Sequence, residues 1–226
     1  MQEKISMDAA HDFEAKMPLS RKIPLGLQHV FAMFVGNLTF MHYLGDDGVG
    51  AFGIACYYTP FIFMVGNSIA QSAQPIISYN FGLGSAVRVR QAETTALATA
   101  AVCGITVTAA FTLIPEWLIG LFVSLDNGAA RIAADGLPYF ASGFIFFIFN
   151  VTAVGYFQST ERVVPATTFA LMRGFILLVP CFLLMPRLFG SHGIWLAMPA
   201  AEALTAVMIA AHYIKNTSGL GRLRRR

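Results

Sequence analysis

The sequence predicts an all-α integral membrane protein of six transmembrane helices, and three observations predict it. Six long apolar stretches fill the chain between Leu25 and Ile214. Hydrophobic residues make up 56% of the 226 positions and charged ones only 12%, with twenty phenylalanines among them, a balance that leaves too little polar surface to cover a water-soluble domain of this size. The basic residues gather at the ends of alternate stretches.

A helix needs about 20 mainly apolar residues to cross a hydrocarbon core roughly 30 Å thick. The stretches that meet this length are Leu25 to Tyr43, Gly50 to Ser72, Ala96 to Leu113, Leu137 to Phe157, Val164 to Met185 and Gly193 to Ile214. Turn and breaker chemistry separates them: Gly45-Asp46-Asp47-Gly48, the segment from Pro75 to Glu93, Asp126-Asn127-Gly128, Ser159 to Arg162, and Pro186 to His192. Pro115-Glu116-Trp117-Leu118 and the apolar run to Val123 are too short to cross and predict a short helix lying in the outer interface. The third stretch, rich in Ala and holding Gly104, predicts a close helix-packing face. The fourth carries Phe140, Phe144, Phe146, Phe147 and Phe149, rings that face lipid or neighbours more readily than a ligand.

Orientation follows from Lys and Arg, which are retained on the cytoplasmic side. With the N-terminus inside, Lys4, Lys16, Arg21, Lys22, Arg88, Arg90, Arg162, Lys215, Arg222, Arg224, Arg225 and Arg226 are cytoplasmic, and only Arg131 and Arg187 lie outside. The expected organisation is a polar cytoplasmic tail at 1–22, a six-helix transmembrane lobe at 23–216 and a basic cytoplasmic tail at 217–226, in a multi-pass protein of the cell inner membrane with both termini in the cytoplasm. The first 22 residues balance acids and bases and lack the pattern of a signal peptide. The basic tail reads as a topology anchor that touches anionic membrane lipid, not nucleic acid.

Ionisable groups at bilayer depth are costly, by about 2.5 to 3.5 kcal/mol on insertion scales, and so carry functional expectations. Arg173 in the fifth stretch and Glu202 in the sixth lie at matching depths near the midplane. They are expected either to form a pair that locks two helices or to take part in ion coupling. Asn67, Ser68, Gln71, Ser72 and Gln74 crowd the end of the second stretch, where amides line a hydrated cavity or bind neighbouring helices. Cys56, Cys103 and Cys181 lie within apolar stretches without close spacing and read as free thiols. No catalytic constellation, phosphate-binding glycine loop, metal-ligand spacing or resident cofactor is predicted.

Ala51 to Ala92, AFGIACYYTPFIFMVGNSIAQSAQPIISYNFGLGSAVRVRQA, together with LMRGFILLVPCFLLMPRLFGSHGIWLAMPAAEALTAVMI at Leu171 to Ile209, resembles the C-terminal half of a MATE-family multidrug efflux transporter. The resemblance covers the chain from Phe40 onward, and includes Arg173 and Glu202. It implies one lobe of a two-lobed, cation-coupled antiporter that exchanges drug-like organic cations for H+ or Na+. It also implies a need for a second lobe, supplied by a missing N-terminal half or a homodimer. Tyr58, Met64, Asn67, Gln71, Phe147 and Asn150 become candidate linings of the substrate cavity, and Glu202 and Arg173 the candidates for ion coupling or structural pairing.

The head, Met17 to Thr39, is similar instead to the entry of a nucleobase-cation symporter of the uracil or xanthine permease type, with Gln28-His29 matching that family's Gln-His pair. This leaves a nucleobase-symporter fragment and a non-transporting membrane fragment as the alternative readings.

Overall fold

The computed structural model describes the backbone of residues 19–220 and the side chains of 30–215. Helices α1 (Leu19–Gly82), α2 (Ala86–Leu113), α3 (Pro115–Gly120), α4 (Gly128–Ala141), α5 (Phe144–Ser159), α6 (Val163–Leu171) and α7 (Leu178–Leu220) follow one another, with a π-helical turn at Met172–Ile176 between the last two. No strand occurs among the described residues.

At about 1.5 Å per residue, α1 and α7 are each too long for one membrane crossing if straight. Both double back. Gly45 (φ 68°, ψ −160°) breaks α1 and Gly190 (φ 61°, ψ −140°) breaks α7, in a region of backbone space that glycine enters without penalty. The reversal is visible in the packing, since the rings of Phe40 and Phe52 stack with centroids 4.5 Å apart across the Gly45 turn. Helices α4 and α5 meet at a 50° bend and together make one broken crossing. Among the described residues the passes therefore number six: two arms of α1, then α2, α4 with α5, α6 through the first arm of α7, and the second arm of α7.

The six predicted stretches all fall in these passes, but hydropathy placed several ends short. α1 runs helically through Pro75 to Gly82 and α2 starts at Ala86, so the expected loop from Pro75 to Glu93 shrinks to three residues. Hydropathy reports where hydrocarbon ends, whereas a helix satisfies its own backbone and continues into the interface. The same holds at the last turn, where only Gly190 departs from helix in the expected connection from Pro186 to His192. The short outer helix appears as α3, and Asn127 caps α4 by accepting a hydrogen bond from the Ala129 amide at 3.0 Å. The polar tails fall largely outside the described residues.

Small residues bring the helices together. A Cβ added to Gly104 would lie 2.8 Å from the Ile145 Cα, one on Gly66 3.0 Å from Val151, and one on Gly136 would overlap the Trp195 indole. This makes α5 the central helix of the lobe, packed on α1, α2, α6 and α7. Its Phe144, Phe147 and Ile148 are buried with Phe40, Phe52, Phe111, Phe140 and Trp195 in the main core. The phenylalanines of the fourth stretch thus face mostly neighbouring helices, with Phe146 turned outward. A second core of Ile77, Val89, Tyr156, Phe157, Phe169 and Ile209 closes the opposite end.

Candidate functional site: a buried ion pair and an exposed stripe

The two midplane charges meet. Arg173 donates from Nη2 to Glu202 Oε1 at 2.9 Å and from Nε to Oε1 and Oε2 at 3.2 and 3.3 Å, a forked contact that matches guanidinium to carboxylate. The π-helical turn widens the fifth pass where Arg173 leaves it, and such turns recur at functional positions. Asn150, fully buried on α5, donates from Nδ2 to Glu202 Oε2 at 2.7 Å and to the Glu202 carbonyl at 2.9 Å. The Arg173 guanidinium lies 4.1 Å over the Phe147 ring, so that ring's face is already occupied by a cation. Three helical passes are tied together through one carboxylate. The Asn150 Oδ1 atom is buried without a hydrogen-bonding partner among the described residues.

Tyr58 is also inward. Its hydroxyl donates to the Leu118 carbonyl at 2.6 Å and its ring meets Phe111 and Phe122 edge-on, which fastens the interfacial α3 to the lobe.

Met64 and Gln71 lie elsewhere. They are exposed on the second arm of α1, with Asn67 half-buried beside them. Tyr57, Phe61, Met64, Ser68, Gln71, Pro75 and Tyr79 recur every three or four residues and are all exposed, forming one stripe along the length of that arm. Its opposite face, through Ala55, Tyr58, Ile62, Ala70 and Ile77, is buried. The stripe differs from the exposed face of α2, where Thr99, Thr106 and Thr112 each donate to the carbonyl four residues back and so hide their polarity from lipid. The Gln71 amide carries two donor hydrogens and an acceptor and has no such internal solution. An amide, a hydroxyl and aromatic rings on one exposed face are suited to a wet cavity wall or to another helical unit. Of this stripe the sequence had suggested Ser68 and Gln71, through their amide-rich context, and Met64, through the family resemblance; Tyr57, Phe61 and Tyr79 are marked only by their period.

The sequence comparisons agree with this architecture. The family model MatE matches residues 27–183. The chain belongs to the MatE family. Among curated proteins, the multidrug export protein MepA of Staphylococcus aureus (strain bovine RF122 / ET3-1) is 24% identical over 194 residues, a match that covers 82% of this chain and 41% of MepA. The chain thus spans less than half the length of that MatE relative. Among solved structures, the outward-facing conformation of a multidrug resistance MATE family transporter of the MOP superfamily superposes with a TM-score of 0.78 at 15% identity, over 89% of this chain and 45% of the other. The inward-facing conformation of such a transporter gives 0.76 at 16% identity, over 89% and 46%. At these identities the match speaks for fold: a six-helix membrane lobe of MatE type, whose internal arrangement resembles both states almost equally.

Proposed function

We propose that this lobe serves the export of drug-like, amphipathic organic cations, xenobiotics among them, by antiport with H+ or Na+. Membership of a transporter family carries the reading, supported by a relative described as a multidrug export protein. The exposed stripe of α1 is the cargo-facing wall, with Tyr57, Phe61 and Met64 offering aromatic and polarisable surface to a flat cation and Asn67, Ser68 and Gln71 keeping the wall hydrated. A two-lobed cavity needs a second six-helix unit, either an N-terminal lobe or a second copy of this chain. An even number of passes places two copies in the same orientation, as parallel repeats require. The Arg173–Glu202 pair acts mainly as a lock between passes, because a carboxylate held by a forked guanidinium and an amide is poorly available to a coupling ion.

Both termini face the cytoplasm in this reading, supported by the twelve-to-two distribution of basic residues. An impermeant thiol reagent applied to intact cells should leave a cysteine at Arg88 unlabelled; labelling from outside overturns the orientation. The protein works as a transporter without catalysis and needs no cofactor beyond its coupling ion. The head's likeness to nucleobase symporters rests on Gln28 and His29, whose side chains lie outside the described residues. The MatE match begins at residue 27 and takes in both, which favours one origin for the first pass.

The test expresses the chain in cells stripped of their own efflux pumps and follows ethidium accumulation with and without a proton uncoupler. Reduced accumulation that the uncoupler abolishes supports H+-coupled export, and dependence on external sodium instead supports Na+. Accumulation equal to the empty vector, with the protein shown in the membrane, supports a non-transporting fragment.

A further inference from the structure

A second buried carboxylate lies outside the Arg173–Glu202 site, at the end of the lobe that carries Arg88, Arg90 and Arg162. Glu93 on α2 is only 9% exposed, and its Oε1 has no hydrogen-bonding partner among the described residues. It lines a small, partly open cavity of about 10 Å³ with Ala70, Ile77, Ala96, Leu97, Thr152 and Tyr156. A space of about 10 to 15 Å³ open to the centre of a water-sized sphere holds one water molecule. The wall is mostly hydrocarbon. Besides Glu93 it offers only the hydroxyls of Thr152 and Tyr156, and Thr152 already donates its hydrogen to the Ile148 carbonyl at 2.9 Å.

The charged and titratable groups around the carboxyl come from each packed element that has any. Arg90 acts from α2 itself, Tyr156 from α5, Arg162 from the α5–α6 turn and Tyr213 from α7. His212 and Lys215 flank Tyr213 on α7, where Arg162 and Lys215 act on the His212 ring. The α1 wall, Ala70 and Ile77, is apolar.

A metal ion needs a shell of about six oxygens, which this wall does not supply. A proton needs one. We propose that Glu93 is a proton-binding site, loaded through a single water held against Thr152 and Tyr156. A hydronium ion in the cavity gives up one O–H bond as a new O–H bond forms at Oε1, leaving neutral water and a neutral carboxylic acid. That removes a negative charge from between α1, α2, α5 and α7 and releases Arg90 and Arg162 from it. The inference stands apart from the export reading, because it concerns proton binding by the lobe whether or not it transports.

The experiment uses the full chain in lipid nanodiscs and difference infrared spectroscopy as the buffer is acidified. A buried-acid C=O band should appear, shift in D2O, vanish in Glu93→Gln and persist when the exposed Glu116 is replaced in Glu116→Gln. The same band in a helical, folded Glu93→Gln protein overturns the proposal. Should that variant not fold, Glu93→Asp must move the band, and an unmoved band is equally fatal. A melting temperature that rises with NaCl but not KCl at fixed pH, and only while Glu93 is present, makes this a sodium site and also overturns the proposal.

Discussion

The lobe treats its polar residues in two opposite ways. Around Glu202, polarity is turned inward and largely consumed: carboxylate, guanidinium, amide N–H and aromatic face meet one another across three passes, with the Asn150 Oδ1 left unpartnered among the described residues. Along the second arm of α1, from Tyr57 to Tyr79, polarity is turned outward and left open. Buried charge that has found its partner specifies packing, whereas open polar and aromatic groups at bilayer depth imply something outside the lobe that meets them. Residue type alone does not separate these cases, since Asn150 and Asn67 are the same amide in different company.

The largest effect should come from breaking the ion pair on one side. Arg173→Ala or Glu202→Ala leaves a buried charge alone and should destabilise the lobe by about 3 to 5 kcal/mol, read as a loss of monodisperse protein in detergent. Replacing both by leucine should recover much of that yield. Singles and double that add without coupling would show that the pair holds nothing. Next, Gly136→Ala pushes a methyl group into the Trp195 indole and should cost about 1 to 3 kcal/mol, visible as a lowered melting temperature. A smaller loss, about 1 to 2 kcal/mol, is expected for Gly45→Ala, which forces a side chain into positive φ at the hairpin while meeting no steric neighbour. Stripe substitutions such as Phe61→Ala and Gln71→Ala should change stability by less than about 0.5 kcal/mol, yet reduce export of ethidium wherever export is measured. A stripe variant that unfolds the lobe would move those residues from cargo wall to core.

Much of this is legible in the sequence. The six passes follow from apolar length, the Gly45 hairpin from its breaker cluster, and the Arg173–Glu202 pair from matched depth and the cost of lone charge. Three features were not readable. The helical continuation through Pro75 depends on backbone self-satisfaction, to which hydropathy is blind. The role of Asn150 depends on which face of α5 meets the sixth pass. The stripe hides because an exposed ring in a membrane protein has the same hydropathy as a lipid-facing one; only the buried opposite face, Ala55 to Ile77, sets its direction.

The most direct test of the contrast is water itself. In a chain whose Cys56, Cys103 and Cys181 are replaced, single cysteines at Met64, Ser68 and Gln71 are compared with one at Asn150, using a membrane-impermeant maleimide on protein in nanodiscs. The account predicts rapid labelling at the three stripe positions, slowed by ethidium, and none at Asn150 until the protein is denatured. Unreactive stripe cysteines beside a reactive Asn150 position would reverse the assignment, making the stripe a lipid face and the ion-pair region the wet site.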